Sequence, residues 1–418
     1  MINKKLFVLP AILMALMTTG CGNTSSDNPV AATTATTAIE TQTYTPTGTN
    51  TSVSGNDYSI YLDNTSNWSN GAGSSVSLNS IVNVPYTFSS DDTNTNYDAS
   101  TAITYDFDSL SSLRASNSYS DGVLTIDEAG TYILKGTLNG HILVKKGVGN
   151  VTFVMNGVTI NGQTHSAIYG KKNSPISIIL ADGTTNTLND VASYTFDEDD
   201  EPSACLFSKS DITIKGNGVL NVNAKSAVSD YESDGIQSKG DNGIIITGGT
   251  INVTTQGGNA IKSKNNIAIS NSSNYMTLKA GGTGECIKAK GYIYIKDGMF
   301  NLTAGGDCIK GGTITGTAYG DGIQATDQLV ISGGNVNITT TNTTFYSTDD
   351  SSKGIKSGCD NASGTITIAG GNINLNTQDH AIKCKGPITI KGNPSISITA
   401  SLKYKYNSNE YEGGKGIT

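Results

Sequence analysis

A short motif recurs along this chain and carries lysine at an unexpected rate. It consists of a small residue, Ile, Lys or Gln, a second small residue, and often a further Lys. It reads Gly235-Ile236-Gln237-Ser238-Lys239, Ala260-Ile261-Lys262-Ser263-Lys264 and Cys286-Ile287-Lys288-Ala289-Lys290, and returns around Ile309, Ile323, Ile355 and Ile382. Side chains alternate along a strand, so the residues one and three after each Ile share a face. Seven copies give fourteen such positions, and nine are lysine: 239, 262, 264, 288, 290, 310, 356, 383 and 385. With 26 lysines in 418 residues, chance predicts about one.

Ammonium groups stacked at strand spacing repel one another and must find counter-charge or water. Two readings follow. One is a solvated lysine ladder that blunts a sheet edge. The other is a basic stripe, on a chain whose net charge is −8, matched to a polyanion with a repeat close to the strand spacing. A uronic-acid polysaccharide has that character, and Lys239, Lys262, Lys264, Lys288, Lys290 and Lys310 are the candidate contacts, with Tyr292 and Tyr294 as an outward aromatic pair. Nucleic acid is a poor partner for an acidic protein with a single arginine, Arg114.

Acidic residues form a second set. Asp234, Glu285, Asp307 and Asp321 each precede the small residue of a motif copy, and Asp379 stands one place further back. Asp230-x-Glu232-x-Asp234-Gly235, with Asp241 beyond, offers alternate carboxylates around a turn glycine, which suits a hard cation such as calcium. The competing reading is that these acids cap their own corners. Cys205, Cys286 and Cys308 occupy the small slot before the anchor and Cys384 the small inward slot, where cysteine serves as a small buried apolar residue. A Cys286–Cys308 disulfide on neighbouring repeats stays open. Three distant histidines, 141, 165 and 380, give no zinc set.

The elements that position these residues are short strands. Forty-nine glycines, with Ser, Thr and Asn throughout, disfavour helix. Runs such as Val151–Met155, Ile212–Ile214 and Ile366–Ile368 last only a few residues, with Gly and Asn between them. Anchors Ile236, Ile261, Ile287 and Ile309 stand 25, 26 and 22 residues apart, and most copies are followed by two further alternating strands. Three strands per repeat of this length predicts an all-β parallel β-helix, with neighbouring coils ~4.8 Å apart. The interval of 14 from Ile309 to Ile323 breaks the rhythm and marks a truncated coil or a loop.

Ahead of this repeat, Lys4 and Lys5 precede the apolar run Leu6–Met17, the shape of a signal peptide over residues 1–20. Thr18-Thr19-Gly20-Cys21 resembles the bacterial lipobox, which makes Cys21 the expected lipidation site and the chain an exported lipoprotein at the cell surface, meeting the membrane only through that anchor. Residues 21–51 read as a flexible tether, 52–120 as a variable, partly disordered region, and 121–418 as the repeat domain.

Gly130-Thr131-Tyr132, Val154–Val158, Leu180–Leu188, Glu201-Pro202-Ser203-Ala204, Phe207–Asp211 and the repeated Asp-Gly-Ile resemble the bacterial pectate-lyase-like β-helix carbohydrate-binding proteins. That resemblance spans roughly 121–418. It implies a right-handed parallel β-helix fold, calcium, and pectin-like or cellulose ligands bound without demonstrated cleavage. Where the acidic slot becomes Asn259, Lys353, His380 and Lys415, the implied calcium lacks ligands. Three functions follow, in order. The first is binding of acidic plant-type polysaccharides such as polygalacturonate, with no catalytic residue assigned. The second is a calcium-dependent lyase using Lys262, Lys288 or Lys310 as base. The third is a structural surface rod.

Overall fold

The computed structural model describes residues 84–109, 118–191, 194–195, 204–225, 233–282, 284–305, 328–341, 352–358, 364–401 and 415–418, and some further short strands by backbone alone. Almost all of it is β-structure, with one short helix, Ser90–Thr93, whose Ser89 cap and Asp92 form a reciprocal capping box.

The strands fall into three columns, and nearly every pairing within a column is parallel. The first column runs through Ile176–Leu180, Ile212–Gly216 and Ile244–Ile246 to the start of Ile267–Ala280. The second runs through Thr185–Asn189, Val219–Asn223 and Thr250–Thr254 to the end of that same long strand. The third carries the lysine motif. It runs from Val123–Ile126 and His141–Val144 through Ile168–Gly170, Ala204–Ser208, Asp234–Ser238, Ile261–Ser263, Ile287–Ala289 and Ile309–Lys310 to Ile355–Ser357 and Ile382–Cys384. Each turn through the three columns returns the chain beside its own strand of one repeat earlier.

The predicted inward positions are the core. Ile236, Ile261, Ile287, Ile355 and Ile382 are fully buried, and the small partners two places on, Ser238, Ser263, Ala289, Ser357 and Cys384, lie under the same surface. In-register stacking keeps like with like, so Ile meets Ile and a small residue meets a small residue on each successive strand. Ser238 satisfies its hydroxyl by donating to the Ser210 carbonyl at 2.9 Å. At the corner before the anchor the backbones crowd: a Cβ on Gly235 would come within 2.2 Å of Val253 and 2.6 Å of the Ala260 carbonyl. Cys205, Cys286 and Cys384 are buried, and Cys286 is a free thiol that contributes no disulfide.

Two features extend the sequence reading. The third column passes directly from Ile309 to Ile355, with Lys310 opposite Lys356. The fold also begins ahead of residue 121. Strand Ile103–Asp106 pairs in parallel with Gly130–Asn139, and Tyr105 and Phe107 join the core, because apolar side chains at 105 and 107 alternate into it.

Candidate functional site

The two charged sets predicted as separate sites are one structure in the third column. Asp234 is buried at the start of its strand. Its Oδ1 accepts from the Asn259 backbone N–H at 2.8 Å and side-chain amide at 2.7 Å, and its Oδ2 accepts from Lys262 Nζ at 2.9 Å. Asn259 continues the column by accepting from the Glu285 N–H at 3.1 Å, and Glu285 receives Lys288 Nζ at 3.2 and 3.1 Å on its two oxygens. Further along, Lys353 donates to the fully buried Asp379 at 2.9 Å, and His380 contacts the other Asp379 oxygen. Each of these described acids is thus satisfied by a lysine one repeat on (Asp234), of its own repeat (Glu285) or one repeat back (Asp379). Burial lowers the His380 pKa against the opposing pull of Asp379.

This pairing bears on the calcium ligands. Asp234 and Asp241 stand at and beyond opposite ends of the strand Asp234–Ser238, which alone spans about 13 Å, too far for one coordination shell. Glu285 has both oxygens engaged by Lys288. Among the described residues no three His, Cys, Asp or Glu side chains gather as a metal-ligand group. Asp230, Glu232, Asp307, Asp321, Cys21 and the Lys310 side chain lie outside the described residues.

The lysines divide into two rows. Gln237, Lys262, Lys288, Lys310, Lys356 and Lys383 are directly opposite one another on successive strands. The first two lysines of this row are the ones held by Asp234 and Glu285. The second row lies at the strand ends and is longer than the motif suggested. Lys145, Lys171, Lys209, Lys239, Lys264 and Lys290 each donate a backbone N–H to the residue that closes the preceding strand: Ile126, Val144, Gly170, Ser208, Ser238 and Ser263 in turn. Six lysines therefore stand on six consecutive strands. Lys145, Lys264 and Lys290 are exposed and the other three half-exposed. Lys145 reaches Asp127 at 3.2 Å, and Lys171 lies 5.7 Å from the Tyr169 ring.

Lys145, Lys171 and Lys209 were not among the candidate contacts, because their anchors, Ile142, Ile168 and Leu206, sit in weaker, diverged motif copies. The usable signal was a lysine directly after the last inward residue, as in Val144-Lys145, Gly170-Lys171 and Ser208-Lys209. Lys209, Lys239 and Lys264 line an open groove of about 350 Å³ with Lys172, Asp211 and Asp241.

The aromatic pair is corrected. Tyr294 is 4% exposed and lies under Phe88, with ring centroids 5.9 Å apart, so its face is not available to a ligand. Residues ahead of the repeat cover it, which the repeat alone does not disclose. Tyr292 is half-buried, its pKa pushed up to about 12 by burial and then by the charge of Asp92.

A protein-family model described as carbohydrate-binding domain-containing protein matches residues 120–311 and 308–402, well over half of the chain. A carbohydrate-binding domain-containing protein of Acetivibrio thermocellus is 40% identical over 140 residues, 32% of this chain and 46% of its own length. The chain therefore spans under half of that relative. The solved structure of the polysaccharide lyase-like protein from C. thermocellum, a gadolinium derivative, matches at 25% identity and a TM-score of 0.34, covering 71% of this chain and 96% of its own.

Proposed function

The chain belongs to the carbohydrate-binding domain family, and from that premise we propose that it binds an acidic polysaccharide along the outer lysine row. The observation that carries this is the row itself, with Lys145, Lys171, Lys209, Lys239, Lys264 and Lys290 on consecutive strands. Strands recur every ~4.8 Å, close to the length of one sugar ring, so the ammonium groups recur at about the interval of the uronates along a polyuronate chain. The groove beside Lys209, Lys239 and Lys264 gives the chain a bed rather than a flat face. The three columns, each advancing by one strand per repeat, support a right-handed parallel β-helix as the scaffold.

Binding needs no base, whereas the lyase reading does. Lys262 and Lys288 are each spent on a carboxylate, which supports binding over lysis. Calcium enters this proposal only through Asp230, Glu232, Asp307 and Asp321. The lipid anchor at Cys21 and the resulting surface location belong to the same proposal.

The test is co-sedimentation of the tether-free chain with polygalacturonate, in calcium and in EDTA, while absorbance of unsaturated uronides is followed. Retention should fall as salt rises, because exposed charges are screened beyond ~10 Å at 0.1 M. The triple variant Lys239→Gln, Lys264→Gln, Lys290→Gln should weaken retention about tenfold. Unsaturated product would make the protein a lyase, equal retention in EDTA would remove calcium, and no retention at any salt would sink the reading.

A further inference from the structure

Residues 84–98 cross the outer face of the first column and are fastened there. Tyr86 meets Phe88 edge-on at 5.1 Å, Lys215 Nζ donates to the Asp91 carbonyl at 2.7 Å, and the Thr247 hydroxyl donates to the Asp92 carbonyl. Between this segment and the strands lies a cleft of about 420 Å³. Its lining is rich in amides and hydroxyls, among them Asn96, Asn150, Thr152, Ser177 and Thr213, and it includes Tyr97, which is 40% exposed. Buried Ser177 Oγ, on this lining, has no hydrogen-bond partner in the protein.

Charge decides what such a cleft would take. Asp91, Asp92 and Asp211 line it against one cation, Lys215, so a uronate would meet net repulsion there. Two of the carboxylates are also already engaged within the protein. Asp92 Oδ2 accepts from Tyr86 and Ser89, and Asp211 accepts from the N–H groups of Asn242 and Gly243 and from the Asn242 amide. The rest of the lining is uncharged and hydrogen-bonding, with one aromatic ring at its rim, the usual complement of an uncharged sugar. Pro175 and Asp211 line both this cleft and the lysine groove, so the two are contiguous around one corner.

We propose that this cleft is a second glycan subsite, taking an uncharged sugar ring against Tyr97, and that it forms one path with the lysine groove. The protein then prefers a polysaccharide in which neutral sugars adjoin uronates. The joined path rests on the lysine row binding the uronate, while the cleft's own binding does not.

The experiment is titration of the full chain with cello-, manno- and galactotetraose, followed by calorimetry and saturation-transfer NMR. At least one tetrasaccharide should bind with an affinity that salt does not change. Tyr97→Ala should weaken that binding about tenfold. Tyr97→Phe should retain it, because the ring face is kept. Tyr275→Ala, which removes a ring 60% exposed outside the cleft, should leave it unchanged. Failure of all three sugars to bind, or binding indifferent to Tyr97→Ala, overturns the subsite. Polygalacturonate retention by the unaltered chain, measured alongside, reports on the lysine row independently. An oligosaccharide carrying both sugar types should bind more tightly than either half, and equal affinity would break the single path while leaving two sites.

Discussion

The two lysine rows of the third column use one residue type, two positions apart, in opposite ways. Lys262 and Lys288 lie beside the buried corner acids Asp234 and Glu285 and complete them. Lys264 and Lys290 stand exposed at the strand ends. The first pair stabilises the stack and the second is available to a ligand. Neither role is a property of lysine. It follows from whether a carboxylate lies within reach: the corner acids reach Lys262 and Lys288 of the inner row, and Asp127 reaches Lys145 of the outer row.

The sharpest contrast concerns Asp379. It is fully buried against Lys353, itself 7% exposed. Asp379→Ala removes the counter-charge from a buried ammonium and should cost roughly 3–5 kcal/mol, read as a lower urea midpoint. An unchanged midpoint would show that the inner polar column is not structural.

A smaller effect is expected at Asp234. Asp234→Asn removes the charge and keeps the acceptor for Asn259, at a cost of about 1–3 kcal/mol. A double-mutant cycle with Lys262→Gln should return a clear coupling energy, whereas the cycle with Lys264→Gln should be additive within ~0.5 kcal/mol. Equal coupling in both cycles would abolish the distinction between the rows.

Lys264→Gln and Lys290→Gln should each change stability by no more than about 0.5 kcal/mol while reducing polygalacturonate retention. If they destabilise as much as Asp234→Asn, the outer row is structural too.

The least effect is a pH slope. The folded-state pKa of His380 lies below its ordinary value, chiefly through burial, with Asp379 opposing and Lys383 and Lys353 assisting. The unfolded chain then binds more protons, so stability should decline as pH falls through the unfolded value of ~6.5 and below. His380→Gln should flatten that slope, and a slope unchanged by the substitution would assign it to other groups.

Much of this was legible in the residues. The Ile anchors and small partners at Ser238, Ser263 and Ala289 announce strands stacked in register, because each position then meets its like on the next strand. The Lys-rich outer face is equally plain from alternation. Three things were not. That Asp234 meets Lys262 and Asn259 depends on residues 25 and 28 places away being brought alongside by the next repeat. That Tyr294 is covered depends on Phe88, some two hundred residues earlier, crossing its face. That the outer row reaches back to Lys145 depends on register through diverged copies, which backbone hydrogen bonds preserve even where the side-chain motif has changed.

The sequence by itself determined the strand period, the inward and outward faces and the surplus of lysine, since these depend on alternation and on contacts between like positions. Only the tertiary structure decided which lysines are neutralised and which are offered to solvent. Electrostatic pairing acts over a few ångströms in space, and the separations that matter there are set by how successive repeats align rather than by distance along the chain.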